Sequence, residues 1–214
     1  RDFDVKEYYD SIGKKQDSQM FYERAAWQDL LDHMDFSSLK SVFEFGCGTG
    51  LFAQLLFQNY LPPDAHYVGV DISPKMFKIT KDRLNQWEEK VTLKRSESSV
   101  NLEVGSNNFD AFFSNFVFDL IVDENLPKLI SEVHRILKEN GLMCITGISP
   151  GNTILSKNVS KIWKFIYNQK PHWVGGCRPI ELLNFVKNKD WDVQYHNKIV
   201  SYGISTDVFV LKKL

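Results

Sequence analysis

The chain is 214 residues long, 43% apolar, 25% charged and 14% aromatic, with a formal net charge of −1. That length fits one large domain, whose core can bury roughly 70% of the unfolded surface without staples. Three widely spaced cysteines (Cys47, Cys144, Cys177) exclude a disulfide framework and a zinc pattern, and the balanced charge argues against a general nucleic-acid binder.

No apolar run approaches the ~18–20 residues that span a bilayer. The most apolar stretch, 111–122, is interrupted by Ser114, Asn115 and Asp119. No signal-peptide pattern is present, and free thiols fit a reducing compartment, so a cytoplasmic location is expected. The chain opens at Arg1 instead of Met, which is compatible with removal of an upstream segment. The charge is divided unevenly: residues 151–214 hold 10 basic and 4 acidic side chains, a net of +6, against −7 for the first 150. Such a basic region is either a solvated surface or a rim for an anionic ligand or a lipid surface.

In chain order, an N-terminal helical arm (1–39) comes first, with Trp27, Leu30, Leu31 and Met34 on one helix face. A first strand, Ser41–Phe45, runs into Gly46-Cys47-Gly48-Thr49-Gly50 and then a helix from Leu51. A second strand, His66–Val70, ends at Asp71. Ser73-Pro74 is a helix start, with Ser as N-cap and Pro in the first turn, and Met76, Leu84 and Trp87 on the buried side. Short strands follow at Val91–Lys94 and Phe109–Ser114. The next helix carries Leu126, Ile130, Val133 and Leu137 as its buried stripe and stops at Asn140-Gly141. An apolar strand, Leu142–Thr146, completes the core segment (40–147). An acceptor-side insertion (148–190) holds a helix over Ser156–Asn168 and another opening at Pro179. Two β-like runs, Trp191–Val200 and Asp207–Leu211, close the chain as a hairpin (191–214). The alternation predicts a single α/β domain: a doubly wound, mostly parallel sheet with an antiparallel C-terminal edge strand and the helical arm.

The glycine-rich turn carries the chemistry. It lets the backbone pass close to a ligand at the end of a strand. A dinucleotide fingerprint would need its third glycine at residue 51, which is Leu51. Glu44, two residues before the first glycine, would repel a pyrophosphate and suits a cationic ligand.

The run Glu44-Phe45-Gly46-Cys47-Gly48-Thr49-Gly50, with Asp71 and the segment 109–117 in order behind it, resembles the class I S-adenosylmethionine-dependent methyltransferases over about Lys40–Gly147. The resemblance implies a Rossmann-like methyltransferase fold and S-adenosylmethionine as cofactor. It implies that Gly46, Gly48 and Gly50 pass beside its methionine and ribose, that Glu44 faces the amino group, and that Asp71 accepts from the ribose hydroxyls. Ile72 and Met76 would sandwich the adenine. The adenine-edge positions fall at Ser98 and Ser99, a departure from the usual acidic residue. Asn115 and Phe116 would lie near the sulfonium. His134 and Arg135 are read as structural.

The acceptor is expected to be a small molecule, either anionic or aromatic and apolar, met by the arm and the 148–190 segment. Tyr8, Tyr9, Tyr22 and Arg24 of the arm are candidates to close over the ligand. Trp163, Tyr167, His172 and Trp173 form an aromatic cluster, with His172 the candidate base and Arg178 a candidate anion grip. No metal and no nucleic acid are expected. Two rival readings are a cofactor-binding module without catalysis and an NAD-dependent oxidoreductase.

Overall fold

The computed structural model describes residues 3–96, 100–186 and 190–214. Strand β1 (Ser41–Phe45) pairs in parallel with β2 (His66–Asp71) on one side and β4 (Phe109–Asn115) on the other. β3 (Val91–Arg95) extends the sheet beyond β2, and β5 (Leu137–Ile148) extends it beyond β4. The C-terminal hairpin is antiparallel: β7 (Ile204–Lys213) lies against β5, and β6 (Trp191–Ser201) forms the outer edge. The order is β3-β2-β1-β4-β5-β7-β6, and its direction reverses between β1 and β4. That reversal leaves a crevice at the carboxyl ends of the two strands, where open α/β sheets take their ligands.

Strand alternation sorts the side chains into two cores. Phe43, Phe112, Met143 and Phe209 point to the face covered by α5 (Leu126–Ile136), which contributes Leu129, Ile130 and Val133. Val42, Phe113, Cys144 and Val210 point to the other face. There they meet α2 (Met20–Asp32) through Ala26 and Leu30, and α3 (Leu51–Asn59) through Phe52 and Leu56. Phe112, Phe113 and Phe118 are fully buried, so they are packing residues. The arm also contains α1 (Val5–Ile12) and a 3-10 segment, Gly13–Gln19. Ser73 caps α4 (Pro74–Arg83) by accepting from Met76 N–H at 3.1 Å.

Two boundaries differ from expectation. α5 ends at Ile136, and Leu137 is already extended (φ −74°, ψ 141°) and paired with Phe109. Asn140 adopts φ +63° inside the long strand β5, where the ladder skips a register between Phe109 and Ala111. Asn-Gly therefore makes a tight bend within a strand, not a helix stop. No helix opens at Pro179: Ile180 N–H donates to Ile148 O at 3.0 Å, and the following helix, α7, covers only Leu183–Val186. The helix expected at Ser156–Asn168 is α6, Ile154–Gln169, with a Thr153/Ser156 capping box. His134 packs edge-on against Trp191, and Arg135 grips Glu132 at 2.8 Å, so both are structural. Among the described residues no helix is long and apolar enough to cross a membrane.

Candidate functional site

The turn after β1 is held by two amides, since Gly46 and Cys47 N–H both donate to Val70 O, at 2.9 and 3.0 Å. Gly46 sits at φ +76°, and a Cβ there would collide with Val117 Cγ2. Glycine is therefore required both by the backbone and by the close approach of the β4 end. Gly50 plays a different part: a Cβ on it would lie 2.7 Å from Thr80 Cγ2, so it lets α3 pack against α4 and does not line a cavity.

A cavity of about 280 Å³ opens over the crevice, walled by Gly46, Gly48, Asp71, Ile72, Asn115 and Phe116 together with residues of the arm. A second, smaller cavity of about 40 Å³ shares the walls Gln16, Gly46, Gly48 and Asn115 and adds Glu44 and Glu23. Of the residues singled out in the sequence, the structure thus gathers Glu44, Gly46, Gly48, Asp71, Ile72, Asn115 and Phe116. Met76 is turned into the core with 1% exposure and leaves the cavity to Ile72. Ser98 and Ser99 lie outside the described residues, while the neighbouring Ser96 lines the cavity. His172 is exposed in a short 3-10 turn (Pro171–Val174), edge-on to Trp173, and lines neither cavity. Its place in the sequence near the acceptor side put it forward as a base; its position in space does not.

The Asp71 carboxylate is clamped by two backbone donors. Oδ2 accepts from Gly48 N–H at 2.8 Å and Oδ1 from Ser73 N–H at 2.9 Å. Burial pushes its carboxyl above the usual value, and the amides of Ser73, Gly48 and Ile72 pull the other way. A carboxylate has about four lone-pair sites, so acceptor capacity remains for a further donor at the cavity wall.

Glu44 is 2% exposed and accepts from Tyr67 Oη at 2.5 Å. Burial pushes it up to about 8, partly opposed by Tyr67 and by the nearby Asn115. Asn115 Oδ1 accepts from Thr146 Oγ1 at 2.9 Å; its buried Nδ2 makes no hydrogen bond of normal geometry but is near enough to Glu44 to favour that group's ionised form. Gln16 Oε1 is likewise buried and unpartnered. One orphan donor and one orphan acceptor therefore sit in the wall common to both cavities, beside the glycine turn, where leaving them unpaired is costly. Phe116 holds φ +56°, an uncommon conformation for an aromatic residue, and packs edge-on against Tyr22 of the arm, with centroids 5.5 Å apart.

The arm closes the site by polar ties that carry no motif. Arg83 reaches Asp17 at 2.7 Å and Thr49 Oγ1 at 2.8 Å, while Thr49 Oγ1 itself donates to Asp17 at 2.6 Å. Ser73 Oγ donates to Asp10 at 2.5 Å. Tyr9 is buried at the cavity wall and Tyr22 is buried against Phe116, whereas Arg24 is exposed and lines neither cavity. Tyr8 packs against Gly175. Sequence reasoning passed over Gln16, Glu23 and Asp119. The hint of Gln16 was a polar interruption, Gly13–Gln19, between two helices; Glu23 lies within α2, and Asp119 is one of the polar breaks in the apolar stretch 111–122.

Glu23 is 6% exposed, and burial raises its carboxyl to about 8, with Asp119 adding repulsion. Burial raises Asp119 to about 7; its Oδ2 accepts from Ile148 N–H at 3.0 Å and its Oδ1 is unpartnered. Arg178 lines neither cavity, and its Nη2 donates to Ile121 O and Asp123 Oδ1, both at 2.6 Å. Burial pushes the Cys177 thiol well up, which keeps it unreactive. Among the described residues no cluster of side chains could hold a metal ion.

Comparison with known proteins agrees with this geometry. A family profile described as a methyltransferase domain matches residues 42–141. The chain is 23% identical over 168 residues to a demethylmenaquinone methyltransferase of Symbiobacterium thermophilum, covering 75% of this chain and 65% of that one. It is 29% identical to a malonyl-(acyl-carrier protein) O-methyltransferase of Acetivibrio thermocellus, covering 55% and 38%. The chain therefore spans less than two thirds of each of these relatives. Among solved structures, an S-adenosylmethionine-dependent methyltransferase from Aquifex aeolicus shares the fold at a TM-score of 0.62 and 15% identity, covering 98% of both chains. A geranyl diphosphate methyltransferase shares it at 0.67 and 13% identity, covering 90% and 78%.

Proposed function

We propose that this chain, which belongs to the class I S-adenosylmethionine-dependent methyltransferases, transfers a methyl group from that cofactor to a small, largely apolar acceptor. When bound, the cofactor supplies an activated methyl on a sulfonium. The observation that carries the reading is the donor and acceptor set of the cavity walls. Asp71 offers carboxylate lone pairs suited to a ribose diol. Asn115 Nδ2 and Gln16 Oε1 offer one free donor and one free acceptor, suited to the carboxylate and ammonium of an amino acid end. Glu44, beside them, favours the same cation once ionised.

The remaining walls support the acceptor class. Val5, Leu120, Ile121 and Val122 are apolar, and Arg178, the expected anion grip, is tied to the Ile121 carbonyl. An apolar wall under the arm sheds water and aligns the acceptor with the donor, which is most of what an activated methyl requires. Where the acceptor must lose a proton, Glu23 replaces His172 as the candidate base: it lines the smaller cavity, which shares the walls Gly46, Gly48 and Asn115 with the larger one, and burial raises its carboxyl to about 8.

The test is incubation with methyl-labelled S-adenosylmethionine and fractionated cell extract. Label should appear in an organic-soluble product of low mass, and Glu23→Gln should lower its rate at neutral pH. Cofactor binding without labelled product would favour a binding module, and label only in macromolecules would overturn the small-acceptor assignment.

A further inference from the structure

The 140–180 segment contains Lys157, Lys161, Lys164, Lys170 and Arg178 and not one acidic residue. Its longest element is α6, a helix packed on the body by one side only, through Ser156, Val159 and Trp163. At about 100° per residue, Ile154, Leu155, Ile162 and Phe165 fall within one outward arc of about 100°, and Lys157, Lys161 and Lys164 lie along its border. These four apolar side chains are 60–85% exposed. A soluble helix normally reverses this arrangement and turns its apolar stripe to the core. The lysine row also sets like charges at i,i+4 and i,i+3, a small cost with no acidic neighbour on the helix to offset it.

The strip continues onto neighbouring elements. Gly203 of the β6–β7 turn abuts Val159 and Leu155, and beside it Tyr202 is 80% exposed. Phe21 packs edge-on against Tyr202 with centroids 5.3 Å apart and is itself 57% exposed. Past the other end of α6, Trp173 is 65% exposed under Lys170, whose Nζ lies 4.3 Å from the ring centroid. A contiguous apolar patch bordered by lysines and aromatics is the signature of an interaction face.

We infer that this face docks the protein on an anionic lipid bilayer, with α6 lying in the interface plane. The aliphatic strip enters the acyl boundary, Tyr202, Phe21 and Trp173 sit at headgroup level, and the lysines reach anionic headgroups. An acidic protein surface would engage the lysines but leave the strip unmatched. A two-fold contact between copies would set the lysine row near its own counterpart. The docking stands independently of the chemistry proposed above, and its test does not read methyl transfer.

The test is co-sedimentation of the full chain with phosphatidylcholine vesicles, with and without phosphatidylglycerol. Binding is expected to the anionic vesicles only, weakened by salt. The triple variant K157Q/K161Q/K164Q should lower the partition coefficient on the order of 100-fold. Ile162→Ser with Phe165→Ser should abolish binding while leaving the charge intact. All five positions are exposed, so both variants should keep the parent's circular dichroism and melting temperature. No sedimentation with anionic vesicles overturns the proposal, as does equal binding by parent and variants. Self-association abolished by I162S/F165S, without vesicle binding, would assign the face to a second copy.

Discussion

Asp71→Ala should weaken binding of S-adenosylhomocysteine by about 100-fold or more in a calorimetric titration. The carboxylate is held rigid by Gly48 and Ser73 N–H, at 2.8 and 2.9 Å, and is 9% exposed, so its remaining lone pairs are aimed and largely dry. A hydrogen bond to a charged group contributes about 1.5–3 kcal/mol, and losing a diol's two amounts to at least ~3 kcal/mol. The variant also frees the Gly48 amide, which adds to the loss. Asp71→Asn keeps one acceptor oxygen and the side-chain shape, so it should fall between the two. An unchanged affinity in Asp71→Ala would mean that the ribose lies elsewhere.

The folded protein should lose stability as pH rises from about 5 to above 8. Three carboxyls are held protonated by burial: Glu44 and Glu23, raised to about 8, and Asp119, raised to about 7. In the unfolded chain each ionises near 4, so over this window the unfolded state binds fewer protons than the folded one. The contribution of each is complete below its unfolded value and disappears as pH climbs through its folded value. For Glu44 alone the difference is on the order of 4 kcal/mol. Glu132 behaves oppositely, because Arg135 holds it below its ordinary value, but its effect is complete by about pH 5. Melting temperature followed from pH 5.5 to 8.5 should therefore fall. Glu44→Gln, which cannot ionise, should flatten the fall. A melting temperature that rises across this range would show that these carboxyls are ionised and paired in the fold.

The cofactor half was legible because its signals are local. A strand followed by glycines at 46, 48 and 50, an acidic residue ending the next strand, and an N-cap Ser-Pro pair each report on the few residues around them. The limits of local reading show at Leu137–Gly141. A helical stripe through Leu137 and an Asn-Gly stop are both good local patterns, yet pairing with Phe109 pulled Leu137 into β5. Met76 and Gly50 show the same limit, since packing against the core and against Thr80 decides which side of the chain meets the ligand. The arm and the acceptor side were the least legible. Gln16, Asp17, Glu23 and Asp119 gain their meaning only from tertiary neighbours far away in sequence, as when Arg83 ties Asp17 to Thr49. His172 illustrates the converse: an ionisable residue near an expected site in sequence, exposed away from it in space.

The central claim is that the crevice between β1 and β4 holds S-adenosylmethionine and not a dinucleotide. Calorimetric titration of the parent protein with S-adenosylhomocysteine and, separately, with NAD tests it most directly. Saturable one-to-one binding of S-adenosylhomocysteine with no heat from NAD is the predicted result. Binding of NAD with none of S-adenosylhomocysteine would contradict it.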